Sequence, residues 1–183
     1  MRYVSTLLAG AALFSVGGVA GAHVIDFAAD LDGDHAVPVT DSTATGRSRL
    51  HYNHHGYLFD IEIHVDGLSL ADLIGVGPNN SQAQIWIAQP GEVGEMVYDL
   101  GENAAFTESA DGLDFHGKLY SMGDDINTII YRRDALYDGL WFLRVYTRAH
   151  PAGEIAGAFY LVPAPVSAGL GVMGLICVAR RRR

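Results

Sequence analysis

From Tyr57 to Val65 the odd positions read Tyr57, Phe59, Ile61, Ile63 and Val65, and the even ones Leu58, Asp60, Glu62 and His64. Alternation with a period of two places one set of side chains on a buried face and the other in water, the pattern of a strand. The run Gly46 to Asn53 is separated from it by His54-His55-Gly56, so the two predict a hairpin, with glycine supplying the positive φ of the turn. Further strands are predicted at Val24 to Ala29, Gln82 to Ala88, Glu95 to Leu100, Asp114 to Met122, Leu140 to Thr147 and Gly153 to Leu161. Seven or eight short strands with Gly, Asp, Asn and Pro clusters between them predict an all-β sandwich or barrel. Leu68 to Ile74 reads as a loop or a single helical turn. Ile126 to Leu136 predicts a short helix over one end of the sandwich, with Ile126, Ile129, Ile130, Tyr131, Ala135 and Leu136 as its apolar residues.

The two ends break this pattern. Met1-Arg2-Tyr3 precedes an apolar stretch from Val4 to Val19 and the small residues Ala20-Gly21-Ala22, the order of an export signal cleaved after Ala22 to leave His23 as the first mature residue. A buried N-terminal helix is the alternative. No cysteine follows the cleavage site, so lipoprotein processing is not indicated. At the other end Pro163-Ala164-Pro165 leads into the uncharged segment Val166 to Ala179 and then Arg180 to Arg183. Fourteen helical residues span only about 21 Å, short of a hydrocarbon core of about 30 Å, so the segment is a marginal anchor. The arginine run resists translocation and would hold the tail in the membrane with the domain outside.

Val162-Pro163-Ala164-Pro165, the apolar segment and the terminal arginines, Arg180 and Arg181 among them, resemble a PEP-CTERM sorting signal of V-P-A-P type. The resemblance implies transient membrane anchoring and cleavage near the prolines by an exosortase-type processing enzyme, after export by a general secretory route. A plain tail anchor is the alternative. The expected organisation is a signal peptide at 1–22, a β-sandwich domain at 23–162 and a sorting segment at 163–183, with apolar helices flanking the domain.

Charge narrows the partners. All 21 acidic residues lie between Asp26 and Glu154, against seven basic residues in 23–162, a net charge of −14 with histidine neutral. Such a surface repels phosphate backbones and disfavours nucleic acid. Cys177, in the tail, is the one cysteine, so the domain forms no internal disulfide and relies on its core.

Phe27-Ala28-Ala29-Asp30-Leu31-Asp32-Gly33-Asp34-His35-Ala36-Val37-Pro38-Val39 resembles the opening of CHRD domains, F-x-A-x-L-x-G-x-x-x-V-P-P-V. Val145-Tyr146-Thr147-Arg148-Ala149-His150-Pro151-Ala152-Gly153-Glu154-Ile155-Ala156-Gly157 parallels V-H-T-x-x-x-P-x-G-E-I-R-G, the motif residues being Pro151, Gly153, Glu154, Ile155 and Gly157. Ala83-Gln84-Ile85-Trp86-Ile87 stands where the family reads A-H-I-H-G. The resemblance implies an extracellular, immunoglobulin-like or superoxide-dismutase-like Greek-key sandwich acting as a non-catalytic binding or structural module. Three imidazoles at the family's histidine positions could converge on a metal, but here those positions hold Gln84, Trp86 and Tyr146, which are not usual zinc or copper ligands. No metal or other cofactor is expected. Ala156 replaces the family arginine. Where Gln84, Trp86 and Tyr146 share a face, they suit contact with a sugar ring of an exopolysaccharide or with a surface protein; a second core layer is the competing reading.

Other clusters are weaker. Asp30, Asp32, Asp34 and Asp41 hint at a calcium loop, but glycine stands fourth rather than sixth, the twelfth residue is Asp rather than Glu, and no helices flank it. His51, His54, His55 and His64 could trap a transition metal adventitiously, although an exposed polar face accounts for them. No G-x-S-x-G and no exported cysteine marks an acyl-transfer nucleophile. The pair Asp124-Asp125 is what an acidic composition provides, although sequence spacing does not show whether two carboxylates face across a cleft. The expected function is that of an exported cell-surface or matrix binding module, not an enzyme; the runner-up is a metal-binding or redox domain of superoxide-dismutase type.

Overall fold

The structure, a computed structural model, describes residues 24–53, 58–102, 104–120 and 126–163. The export signal, His54, His55, Asp124, Asp125 and the sorting segment beyond Pro163 lie outside the described residues. In chain order the strands are β1 (Val24–Leu31), β2 (Thr45–Asn53), β3 (Leu58–Asp66), β4 (Ala83–Ile87), β5 (Glu95–Asp99), β6 (Thr107–Glu108), β7 (Leu113–Tyr120), β8 (Trp141–Val145), β9 (Ile155–Ala158) and β10 (Tyr160–Leu161), with helix α1 (Ile126–Tyr137) between β7 and β8. They form two antiparallel sheets, one ordered β10-β1-β2-β3-β7-β6 and the other β5-β4-β8-β9.

The alternation read from the sequence sets which side chains meet between the sheets. Phe59, Ile61, Ile63 and Val65 of β3 are buried, as are Phe27, Ala29 and Leu31 of β1. They face Ile85, Trp141, Leu143 and Val145 of the smaller sheet in one core. Phe59 joins the layers directly, with its ring 5.3 Å from Trp141 and 6.0 Å from Tyr98. Burying each such aliphatic or aromatic side chain stabilises by about 1.5–3 kcal/mol, so the domain holds together without disulfides. The β2–β3 hairpin forms with Asn53 opposite Leu58.

Three expectations change. The segment 153–161 is two strands rather than one, because the chain leaves the smaller sheet at Phe159 and β10 pairs with β1 at the edge of the larger one. Gly157 permits this crossing: a Cβ there would lie 2.0 Å from the Asp30 carbonyl oxygen. The extra strand β6 has only two residues, too few to show a period, and the total among the described residues is ten rather than seven or eight. Helix α1 forms where expected, but Ile130 and Tyr131 are exposed and it is Ala135 and Leu136 that enter the core. A Schellman turn at Gly139, with Gly139 N–H donating to Leu136 and Leu140 N–H to Ala135, redirects the chain into β8. Leu68 to Ile74 is a loop held by the buried Leu73, which bridges to Thr147. Among the described residues no helix is long and apolar enough to cross a membrane.

Candidate functional site

In β4 and β8 the core takes Ala83, Ile85 and Ile87 and then Trp141, Leu143 and Val145. The same pleat turns Gln84, Trp86, Phe142 and Arg144 to the opposite face, and Tyr146 continues that series. Register aligns them into rows: Asp99, Gln84, Arg144 and Ala156 across the four strands, with Trp86 beside Phe142. An outer face of this kind would ordinarily be wet, yet Gln84, Arg144 and Tyr146 are only 4%, 3% and 3% exposed, and Trp86 is half-buried. Loops carrying Val37-Pro38, Gly77-Pro78 and Pro151-Ala152 border the face and leave an open pocket of about 510 Å³ over it.

The three residues singled out from the sequence meet here through a hydrogen-bond chain. Trp86 Nε1–H donates to the Tyr146 hydroxyl at 2.9 Å, and that hydroxyl donates to Gln84 Oε1 at 2.9 Å. Burial pushes the Tyr146 phenol above its ordinary value, so it stays neutral and keeps its donor at physiological pH. Each polar group satisfies the next, the condition on which buried polar networks stabilise a single geometry.

Arg144 is the residue that the sequence reading missed. Its guanidinium carbon lies 4.8 Å from the Trp86 ring centroid and 4.7 Å from that of Phe142, and Nη2–H donates to the Val93 carbonyl at 3.0 Å. Its Nε is buried with no hydrogen-bond partner, and burial draws its pKa below the usual guanidinium range. Alternation along Trp141-Phe142-Leu143-Arg144-Val145-Tyr146 already placed Arg144 beside Tyr146, and that was the available signal. Ala156, where the family pattern has arginine, sits directly opposite Arg144 on β9, so the row carries its cation one strand over. Asp99, at the far end of the row, is engaged elsewhere, accepting from Asn79 Nδ2 and the Gly101 amide, each at 3.2 Å.

The motif residues act on the pocket through its walls. Glu154 is buried; its Oε1 accepts from Ser42 Oγ at 2.5 Å, Oε2 accepts from Thr147 Oγ1, and its backbone carbonyl accepts from Thr40 Oγ1 at 2.7 Å. These bonds fasten the loop that carries Val37 and Pro38 to the turn that carries Pro151 and Ala152. Gly153 has φ +124°, which lets that turn close, and Ile155 is a core residue.

The remaining candidates do not converge on this face. Asp30 accepts from the Tyr160 hydroxyl, Asp32 from the His35 amide, and Asp41 lies 3.6 Å from His150, so the acidic series of 30–41 is divided among separate partners. His51 and His64 stand on the outer face of the larger sheet, bound to Asp26 at 2.7 Å and Asp114 at 2.6 Å. Among the described residues no three His, Cys, Asp or Glu side chains are grouped to hold a metal.

The family model for the CHRD domain matches residues 27–159. No curated protein and no solved structure matches the chain.

Proposed function

Because the chain belongs to the CHRD domain family, we propose that it works outside the cell as a non-catalytic binding module whose ligand site is the pocket over Gln84, Trp86 and Tyr146. The observation that carries this is the hydrogen-bond chain from Trp86 through Tyr146 to Gln84 beneath an open pocket. An aromatic and amide floor between three proline-bearing walls offers a flat apolar surface and fixed polar groups, which suit a sugar ring. The side chains of the floor are hydrogen-bonded to one another and Tyr146 is held neutral, an arrangement for recognition rather than for proton transfer. Export through the signal at 1–22, transient anchoring by 163–183, exosortase-type processing and an exopolysaccharide partner complete the proposal. The Greek-key description of the sandwich belongs to it as well.

The test is a titration of the full chain, kept in mild detergent, with purified surface oligosaccharides, read by tryptophan fluorescence. Trp141 is fully buried, so a ligand-dependent change reports Trp86. Saturable quenching in the parent, with an affinity by titration calorimetry that weakens about tenfold in Trp86→Ala, supports the site. Stoichiometric, tight uptake of copper or zinc with no saccharide response would overturn it in favour of a metal-binding domain.

A further inference from the structure

On a domain with 21 acidic and seven basic side chains, the pocket has a lining of the opposite character. Among the described residues that line it, Arg144 is the one charged side chain. It is 3% exposed, and its contacts are two aromatic rings, the neutral Tyr146 hydroxyl and the Val93 carbonyl, none of them an anion. The nearest acidic member of its row, Asp99, is committed to Asn79 and Gly101.

A cation removed from water without a counter-ion carries a desolvation cost that aromatic faces only partly offset. The unpartnered Nε shows that its hydrogen bonding is incomplete as well. A carboxylate arriving in the pocket would supply the missing charge, and guanidinium is the side chain whose planar fork matches a carboxylate. With this pocket as the ligand site, we propose that Arg144 reads a carboxylate on a sugar ring, so that the ligand is an acidic saccharide of uronic-acid type. The ring is called for by the half-buried Trp86 and by the rigid walls at Pro38, Pro78 and Pro151, which accept the C–H face of a sugar more readily than a mobile peptide side chain.

The experiment compares a galacturonic-acid trimer, its full methyl ester and a galactose trimer on the full chain at about 0.15 M salt, where a Debye length of about 8 Å screens the distant acidic surface. The expected result is that the acid binds at least about tenfold more tightly than the ester, the range of a hydrogen bond to a charged group. That difference disappears in Arg144→Gln and is partly kept in Arg144→Lys. The comparison of acid and ester on the unaltered chain decides the matter even where Arg144→Gln fails to fold. Equal binding of acid and ester overturns the role of Arg144 while leaving the pocket as the site. Failure of all three saccharides to change the tryptophan signal overturns both. Competition by a glutamate-rich peptide as strong as that of the acid trimer overturns the assignment to a sugar.

Discussion

Ser42 and Glu154, 112 residues apart in sequence, are joined by a 2.5 Å hydrogen bond from the serine hydroxyl to the buried carboxylate. Thr147 donates to the other carboxylate oxygen, so Glu154 closes two loops onto each other. Glu154→Ala leaves the buried Thr147 hydroxyl and the partly buried Ser42 hydroxyl without their carboxylate acceptor. It is expected to lower the unfolding free energy by about 2–4 kcal/mol. Glu154→Gln, which keeps one acceptor oxygen, should cost less. Urea denaturation checks both, and equal stability of Glu154→Ala and the parent would refute the bracing role.

Tyr146→Phe removes the hydroxyl shared by Trp86 and Gln84 and strands a donor and an acceptor. The expected stability loss is about 1–3 kcal/mol, with a change in Trp86 emission. A denaturation curve and an emission spectrum unchanged from the parent would show that the chain is not formed in solution.

Gly157→Ala tests the close approach of β9 and β1. The added carbon would stand 2.0 Å from the Asp30 carbonyl oxygen, and backbone cannot swing aside as a flexible side chain can. A loss of at least about 3 kcal/mol is expected, measured as the shift in urea midpoint.

His64 and Asp114 predict a pH dependence. The hydrogen bond to Asp114, assisted by Asp66 and opposed by partial burial, raises the His64 pKa above its ordinary 6.5, and the bond to His64 lowers that of Asp114 below 3.8. The histidine contribution is fully present below pH 6.5 and is lost as pH rises through the raised value. The aspartate contribution is present above pH 3.8 and is lost as pH falls through the lowered value. The pair therefore supports the fold most between these limits, weakly because both groups are partly exposed. An NMR titration should find the His64 pKa above 6.5 in the parent and closer to 6.5 in Asp114→Asn. No change on that substitution would refute the coupling.

Mass spectrometry of the cell-surface protein should find His23 at the amino terminus and an end near Val162 to Pro165. Recovery of chains ending at Arg183 from membranes would leave only a simple anchor.

Much of the fold was legible because a strand's alternation is local. Phe59, Ile61, Ile63 and Val65 announced their buried face from neighbouring positions alone. The helix was legible in extent but not in orientation, since Ile130 and Tyr131 are apolar like the residues that entered the core, and only the docking of the helix on the sandwich decided between them. The two-residue strand β6 carried no period to read.

For the site, the sequence by itself determined that Gln84, Trp86 and Tyr146 stand where the pattern they resemble has histidines, and that pleating gives Gln84 and Trp86 one face of β4. It did not determine whether that face met water. Only the tertiary structure decided this, by bringing Pro38, Pro78 and Pro151 from distant loops over one sheet and by leaving Arg144 buried among aromatic rings without a carboxylate. The physical reason is one of range: periodicity is a property of adjacent residues, whereas burial, desolvation and the pairing of a charge depend on loops that arrive from elsewhere in the chain.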